Sequence, residues 1–283
     1  MPDVSVLDSS MHYEEAGTGA PLVFLHGNPT SSYLWSNVLP HIGVSGRLLA
    51  PDLIGMGNSG KPDISYQFDD HARYVDAWFE ALELDDAVLI GHDWGGALAF
   101  DWAARHPERT RGVAFMEAII RPLSWDEFPA PARPRYKALR TPGVGERLAL
   151  DENVVLTSMN TLTPLSEADM EAYRHPYPTR ESRRPLLEWT RAIPFDGEPV
   201  GVADRLEAYG GWLASSEDVP KLLLTFEGAV SVGPEMIAWC IQHIASLEIE
   251  NCGPAGHQAP HDQPEAIAAA ITAWTLRHQL FSS

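Results

Sequence analysis

An aspartate stands between two glycines in Gly91-His92-Asp93-Trp94-Gly95, after the apolar run Ala87-Val88-Leu89-Ile90 and before the helix-compatible run Gly96-Ala97-Leu98-Ala99-Phe100. Flanking glycines permit a sharp strand-to-helix turn that lifts the central side chain above a sheet, as serine is lifted in G-x-S-x-G. No G-x-S-x-G occurs in the chain, so a carboxylate replaces the hydroxyl. With a reference pKa of about 3.9, an aspartate is ionised at neutral pH. It attacks an sp³ carbon without losing a proton and forms an ester that water must later cleave. The plain alternative is that Asp93 caps the following helix; the two glycines, the strand and the helix together favour the nucleophile.

Ester hydrolysis calls for a general base and an acid to orient it. His257, in Gly253-Pro254-Ala255-Gly256-His257, follows the strand candidate 247–249 and sits on a strand-end loop. His261 is its rival, but His261-Asp262 reads as the approach to a helix with Pro264 in its first turn. The i, i+4 histidine pair does not make a metal site, because Gly256 and Pro260 oppose the helix that would align it. Two carboxylates compete for the acid: Glu117, after Val113-Ala114-Phe115-Met116, and Glu227, after Leu222-Leu223-Leu224-Thr225-Phe226. Periodicity leaves the two even. His26-Gly27-Asn28-Pro29, directly after the apolar run 22–25, places backbone N–H groups where half of an oxyanion hole would lie, the residue after the nucleophile giving the other half. The side chains of Asn28 and Trp94 add N–H donors suited to a leaving anion; core packing for Trp94 and turn formation for Asn28 are their ordinary roles.

These residues need a sheet to carry them. Apolar runs of four to six residues at 22–25, 47–50, 87–90, 113–116 and 221–226, and a shorter one at 247–249, alternate with helix-compatible segments at 32–41, 69–84, 94–106, 234–246 and 263–279. That alternation predicts βαβ units and a mostly parallel sheet. In the second helix Ala72, Val75, Trp78, Phe79 and Leu82 form one apolar face. Between Arg121 and about Ser215 the rhythm breaks, and 11 of the 23 prolines fall in residues 121–200. So long a structureless loop is foreign to a compact domain, and a helical cap over the carboxyl ends of the strands is expected, where open α/β sheets place ligands. The division is a core of 1–120 and 216–283 with a cap of 121–215. Gly55-Met56-Gly57-Asn58-Ser59-Gly60 matches G-x-G-x-x-G, but Lys61-Pro62-Asp63 follows it, so no helix N-terminus is available for a pyrophosphate.

The 283 residues carry 20 Lys and Arg against 39 Asp and Glu, a net charge of −19. That charge repels phosphate backbones and anionic membrane surfaces, which excludes nucleic acid and membrane as partners. At 45% hydrophobic the chain can bury a large core. The longest weakly polar stretch, Ala266 to Leu276, is far short of the ~18 to 20 residues that span hydrocarbon. Two cysteines, Cys240 and Cys252, make neither a disulfide framework nor a four-ligand zinc site, and a reducing cytoplasm is the expected compartment. Oligomeric state leaves no mark here.

Over nearly its whole length the sequence resembles the haloalkane dehalogenases of the α/β-hydrolase fold. The resemblance rests on the segment from His26-Gly27-Asn28-Pro29 to Trp35, Pro51-Asp52-Leu53-Ile54-Gly55-Met56-Gly57, Gly91-His92-Asp93-Trp94-Gly95-Gly96, Phe115-Met116-Glu117-Ala118 and Trp125-Asp126-Glu127. It implies an Asp-Glu-His triad of Asp93, Glu117 and His257, and so decides for Glu117 over Glu227. It implies halide held by the side-chain N–H groups of Asn28 and Trp94, and an oxyanion hole from their backbone N–H groups. The implied reaction needs no cofactor and no metal: a small halogenated substrate and water give a primary alcohol, halide and a proton. The family commonly has an apolar or aromatic residue after the histidine, where Gln258 stands, and an aromatic one near Val155. These departures bear on the tunnel mouth and pocket width. Epoxide hydrolases share the Gly-His-Asp-Trp-Gly elbow and draw on cap tyrosines, for which Tyr136, Tyr173, Tyr177 and Tyr209 are available; Asn28 speaks against them. Coelenterazine luciferases of the same clan keep a similar residue set, and a lidded receptor without turnover is the remaining alternative.

Overall fold

The apolar runs supply six strands of one eight-stranded sheet in the computed structural model, which describes residues 2–281. The strands are β1 (Asp3–Val6), β2 (Ser9–Gly17), β3 (Pro21–Leu25), β4 (Arg47–Pro51), β5 (Ala87–His92), β6 (Thr110–Met116), β7 (Lys221–Glu227) and β8 (Leu247–Pro254). Their order across the sheet is β1-β2-β4-β3-β5-β6-β7-β8. β1 pairs with β2, and β2 with β4, antiparallel; from β4 onward every pairing is parallel. The helices are α1 (Phe68–Ala81), α2 (Trp94–Arg105), α3 (Arg133–Arg140), α4 (Val144–Glu146), α5 (Val154–Thr157), α6 (Glu167–Arg174), α7 (Arg184–Ala192), α8 (Val200–Ser215), α9 (Pro234–His243), α10 (Ala259–Asp262) and α11 (Pro264–Arg277).

Successive side chains of a strand point to opposite faces, which divides the core in two. Val23, Leu25, Leu89 and Phe115 pack with α1, α2 and α8. Leu22, Phe24, Val88 and Ala114 pack with Ile267, Ile271 and Trp274 of α11. On α1, Ala72, Val75, Trp78 and Phe79 are all buried at the spacing of one helix face. Strand order reverses at β3 and β5, because the chain leaves β3 for β4 on one side and crosses to β5 on the other. The crevice at such a point, beyond the carboxyl ends of the strands, is where α/β sheets hold ligands.

Three elements differ from the sequence reading. The hairpin β1–β2 was not expected: its exposed and half-buried polar residues interrupt the apolar run, and only Val6, Met11, His12 and Tyr13 are buried. Residues 32–41 form two 3₁₀ turns, Ser32–Trp35 and Leu39–His41, rather than one α-helix; Pro40 has no N–H to continue an i→i−4 ladder. β8 is longer than its apolar residues 247–249. The glycine-rich 55–60 segment is a strand-exit loop wrapped on Asp52, which accepts from Asn58 N–H at 2.7 Å. A Cβ at Gly57 would meet the Asp52 carboxylate at 2.1 Å.

All of α3 to α8 lies between β6 and β7. α8, the last of them, packs against α2: Tyr209 and Phe100 have ring centroids 5.5 Å apart, and Arg205 pairs with Asp101 at 3.1 Å. No helix among the described residues is long and apolar enough to cross a membrane.

Candidate active site

Asp93 has φ 53° and ψ −123°, a backbone conformation outside the usual wells for an L-residue. Such a residue costs about 1–3 kcal/mol and is held only by its surroundings. The surroundings here are glycines. A Cβ at Gly91 would lie 2.5 Å from Gly96 Cα, and one at Gly95 would lie 2.0 Å from Leu25 O. The turn brings the start of α2 against the exit of β3, and the Asp93 carboxylate lies over both. Its Oδ2 accepts from Asn28 N–H at 2.8 Å, and the backbone N–H of Trp94 also bonds the carboxylate. Burial pushes the Asp93 carboxyl up from its ordinary value, against the opposing pull of His257 and these two N–H groups.

His257 Nε2 lies 3.7 Å from Asp93 Oδ1, and its Nδ1 lies 3.1 Å from Glu117 Oε2. Glu117 is fully buried, and its carboxylate takes three backbone N–H donors: Val230 at 2.8 Å, Ser231 at 2.9 Å and Val232 at 3.0 Å. Burial alone would raise the Glu117 carboxyl; the hydrogen bond and charge of His257, with the N–H groups of Ser231 and Val230, outweigh it and hold the group below its ordinary value. Burial likewise disfavours charged His257, but the bond to Glu117 and the negative charge of Asp93 and Glu117 leave the imidazole above its ordinary value. Glu227 is exposed at the end of β7. His261 lies in the single turn of α10, its Nε2 2.6 Å from Tyr173 Oη. The geometry therefore brings Glu117 and His257 together and leaves Glu227, which spacing left even with Glu117, and His261 apart from them.

Asn28 and Trp94 line the same cavity as Asp93 and His257. Helix α7 anchors their side chains. Trp94 Nε1–H donates to Trp189 O at 3.1 Å, and the two indole rings stack with centroids 4.6 Å apart. Asn28 Nδ2 donates to Leu186 O at 3.1 Å and Thr190 Oγ1 at 3.2 Å. The cavity has a volume of about 750 Å³, and Val155 and Gln258 are in its wall. Of the four cap tyrosines, Tyr136 lines it, whereas Tyr209 donates to Ile119 O and Tyr177 accepts from Gly57 N–H. No group of three or more His, Cys, Asp or Glu placed to hold a metal ion occurs among the described residues. Chemically, the arrangement offers a carboxylate able to attack carbon, an imidazole braced by a second carboxylate and able to take a proton, and N–H donors for an anion.

A family model described as alpha/beta hydrolase fold matches residues 20–196. A haloalkane dehalogenase of Mesorhizobium japonicum is 44% identical over 278 residues, 96% of this chain and 89% of that protein. One from Sphingobium indicum is 45% identical over 284 residues, 97% of this chain and 94% of its own length. The chain belongs to the haloalkane dehalogenase family. Among solved structures, haloalkane dehalogenase DbeA from Bradyrhizobium elkani superposes with a TM-score of 0.96 at 42% identity, covering 99% of both chains. DatA from Agrobacterium tumefaciens gives 0.94 at 43% identity, over 98% of this chain and 96% of that one.

Within this dehalogenase fold, several supporting residues escaped the sequence reading. The 230–232 backbone that cradles Glu117 has no side-chain signature; its one trace is Gly228, at φ 93°, where β7 gives way to the loop. His92, read only as part of the elbow, reaches His257 O with Nε2 at 2.7 Å. Trp189 and Thr190 sat in a cap segment whose register the sequence did not give.

Proposed function

We propose that this protein hydrolyses haloalkanes to a primary alcohol, halide and a proton through an ester on Asp93. Asp93 Oδ1, the oxygen turned toward His257, attacks the halogen-bearing carbon; the C–O bond forms as the carbon–halogen bond breaks, and the halide leaves with the bonding pair. Trp94 Nε1–H and Asn28 Nδ2–H receive the halide, exchanging bonds to α7 carbonyl and hydroxyl oxygens for charge-assisted ones. Oδ2 becomes the ester carbonyl oxygen, already bonded to Asn28 N–H. His257 Nε2 takes a proton from water, the hydroxide adds to Cγ, and negative charge gathers on Oδ2, where the backbone N–H groups of Asn28 and Trp94 stabilise it. The intermediate collapses to the alcohol and the free carboxylate. Glu117 keeps the imidazole oriented and balances its charge while it holds the proton.

The observation that carries this reading is the Asp93 carboxylate pinned through Oδ2 by the Asn28 backbone N–H, with Oδ1 facing an imidazole that Glu117 orients. Residues 121–215 serve as the cap of a core made of 1–120 and 216–283, with α3 to α7 roofing the cavity and α8 tying the insert to α2. The partners are a small halogenated substrate, water and halide. The cytoplasm is the proposed compartment, supported by two buried cysteines that are not paired with each other. The test is halide release from 1-bromobutane and 1,2-dibromoethane by wild type and Asp93→Ala. Release by wild type that disappears in the variant is expected. No release by the folded wild type overturns the reading, and styrene oxide is then the substrate to try.

A further inference from the structure

The main chain of His257 is fixed from two directions. His92, in the elbow, bonds its carbonyl at 2.7 Å, and Asn160, in the inserted segment between α5 and α6, accepts its N–H through Oδ1 at 3.0 Å. Asn160 does more on the same loop. Its own N–H donates to Gln258 Oε1 at 2.8 Å, and its carbonyl accepts from Gln258 N–H at 2.9 Å. Gln258 is 2% exposed, so its side-chain carbonyl has its acceptor need met by the cap rather than by water. Four residues beyond Gln258, Asp262 closes the seam. Its carboxylate accepts from Leu162 N–H at 3.0 Å on the cap side and from Gly256 N–H at 2.9 Å on the loop side. The contact at Gly256 is close enough to demand glycine, since a Cβ there would sit 2.4 Å from Asn160 Oδ1 and 2.8 Å from Asn160 O.

We propose that Asn160 is a positioning residue for the hydrolytic half of the reaction, clasping the cap to the His257 loop and setting where the imidazole stands over the Asp93 ester. The inference rests on the reading of His257 as the base. Asp93 itself is held by Asn28 and Trp94, on the exits of β3 and β5, and the 256–262 loop reaches it only through the His257 imidazole, 3.7 Å from Oδ1, which takes no proton during alkylation. Alkylation therefore proceeds without the clasp, whereas attack by water needs Nε2 within hydrogen-bond reach of a water over Cγ. A small misplacement of a base is enough to slow such a step many-fold. Gln258, the residue that departs from the family's apolar or aromatic choice, is thereby a partner of Asn160 rather than a free polar group in the tunnel.

The experiment is a single turnover of 1-bromobutane with enzyme in excess, quenched in acid, with the butyl-enzyme followed by intact-protein mass. It yields a rise for alkylation and a decay for hydrolysis. In Asn160→Ala the rise stays within about twofold of wild type and the decay slows about tenfold, what one lost hydrogen bond of ordinary strength costs. Gly256→Ala keeps every hydrogen-bonding group but forces the two segments apart, and slows the decay alone in the same way. Asn160→Asp keeps the Oδ1 acceptor and restores the decay in alkaline buffer, where the imidazole is neutral. Rise and decay slowed together, or a wild-type decay in both Asn160→Ala and Gly256→Ala, would overturn the proposal. If Asn160→Ala does not fold, the decay in Gly256→Ala decides alone. A wild type that releases bromide and passes through butyl-enzyme keeps the parent reading whichever way the variants behave; a wild type that does neither refutes that reading instead.

Discussion

Asp93, Glu117 and His257 shift one another's protonation, and the shifts have readable signs. The hydrolytic step needs neutral His257, whose pKa is held above the ordinary 6.5. Hydrolysis of the alkyl-enzyme is thus expected to rise with pH as the imidazole loses its proton, with its acid limb below the His257 titration of the free enzyme, because the esterified Asp93 no longer adds its negative charge. Glu117→Gln removes the charge that helps hold the imidazole up, so the limb moves to lower pH while the rate falls; the pH profile of alkyl-enzyme decay measures both, and an unmoved limb would contradict the pairing. The same shifts enter stability. A raised histidine contributes below its unfolded value and loses that contribution as pH rises through the folded value. A lowered Glu117 contributes above the ordinary 4.5 and loses it as pH falls through the folded value. The pair therefore stabilises most between about 4.5 and about 6.5, and the Tm deficit of Glu117→Gln is expected to be widest in that window. Trp94→Phe deletes the N–H that the proposed reaction transfers from Trp189 O to the departing halide, and is expected to slow alkylation ~100-fold, the order found for a lost preorganised donor.

At the scale of elements, the elbow and α8 make opposite use of glycine. Gly95→Ala would drive a methyl to 2.0 Å from Leu25 O and 2.6 Å from His26 O, between two rigid backbones. It is expected to cost at least ~2 kcal/mol of stability by denaturant unfolding, or to prevent folding. Gly210, within α8, has nothing within 4 Å of where a Cβ would stand. Gly210→Ala is expected to stabilise by about 0.5–1 kcal/mol, because the helix gains and the unfolded chain loses freedom. Elements with one strong periodicity were legible in the sequence. α1 has its apolar face at 3.6-residue spacing, and the five inner strands β3 to β7 are apolar on both faces because the sheet is covered on both there. The elbow was legible for the same reason, since both glycines and both flanking elements are local. What remained hidden is what depends on register between distant segments. Glu117 and Glu227 both end strands, and only the fold shows that one faces His257 while the other faces solvent. Asn160 lies nearly one hundred residues from the loop it bonds, and the edge hairpin β1–β2 lacked an apolar run to mark it.

The whole molecule carries a net charge of −19, so its folded state works against self-repulsion that salt screens within a Debye length of about 10 Å at 0.1 M. Tm is expected to rise with potassium acetate through screening, and to rise further in potassium bromide of equal ionic strength, because an ion bound only by the folded state adds mass-action stability. Trp94→Phe should remove the bromide excess and leave the acetate effect; an equal excess in the variant would put the anion elsewhere. The most direct measurement is the intact mass of His257→Phe after exposure to 1-bromobutane, followed by peptide mapping. One butyl group, on the peptide that contains Asp93 and absent from the double variant that also carries Asp93→Ala, is the predicted result. An unmodified protein, a butyl group on another residue, or wild-type turnover by His257→Phe would contradict it.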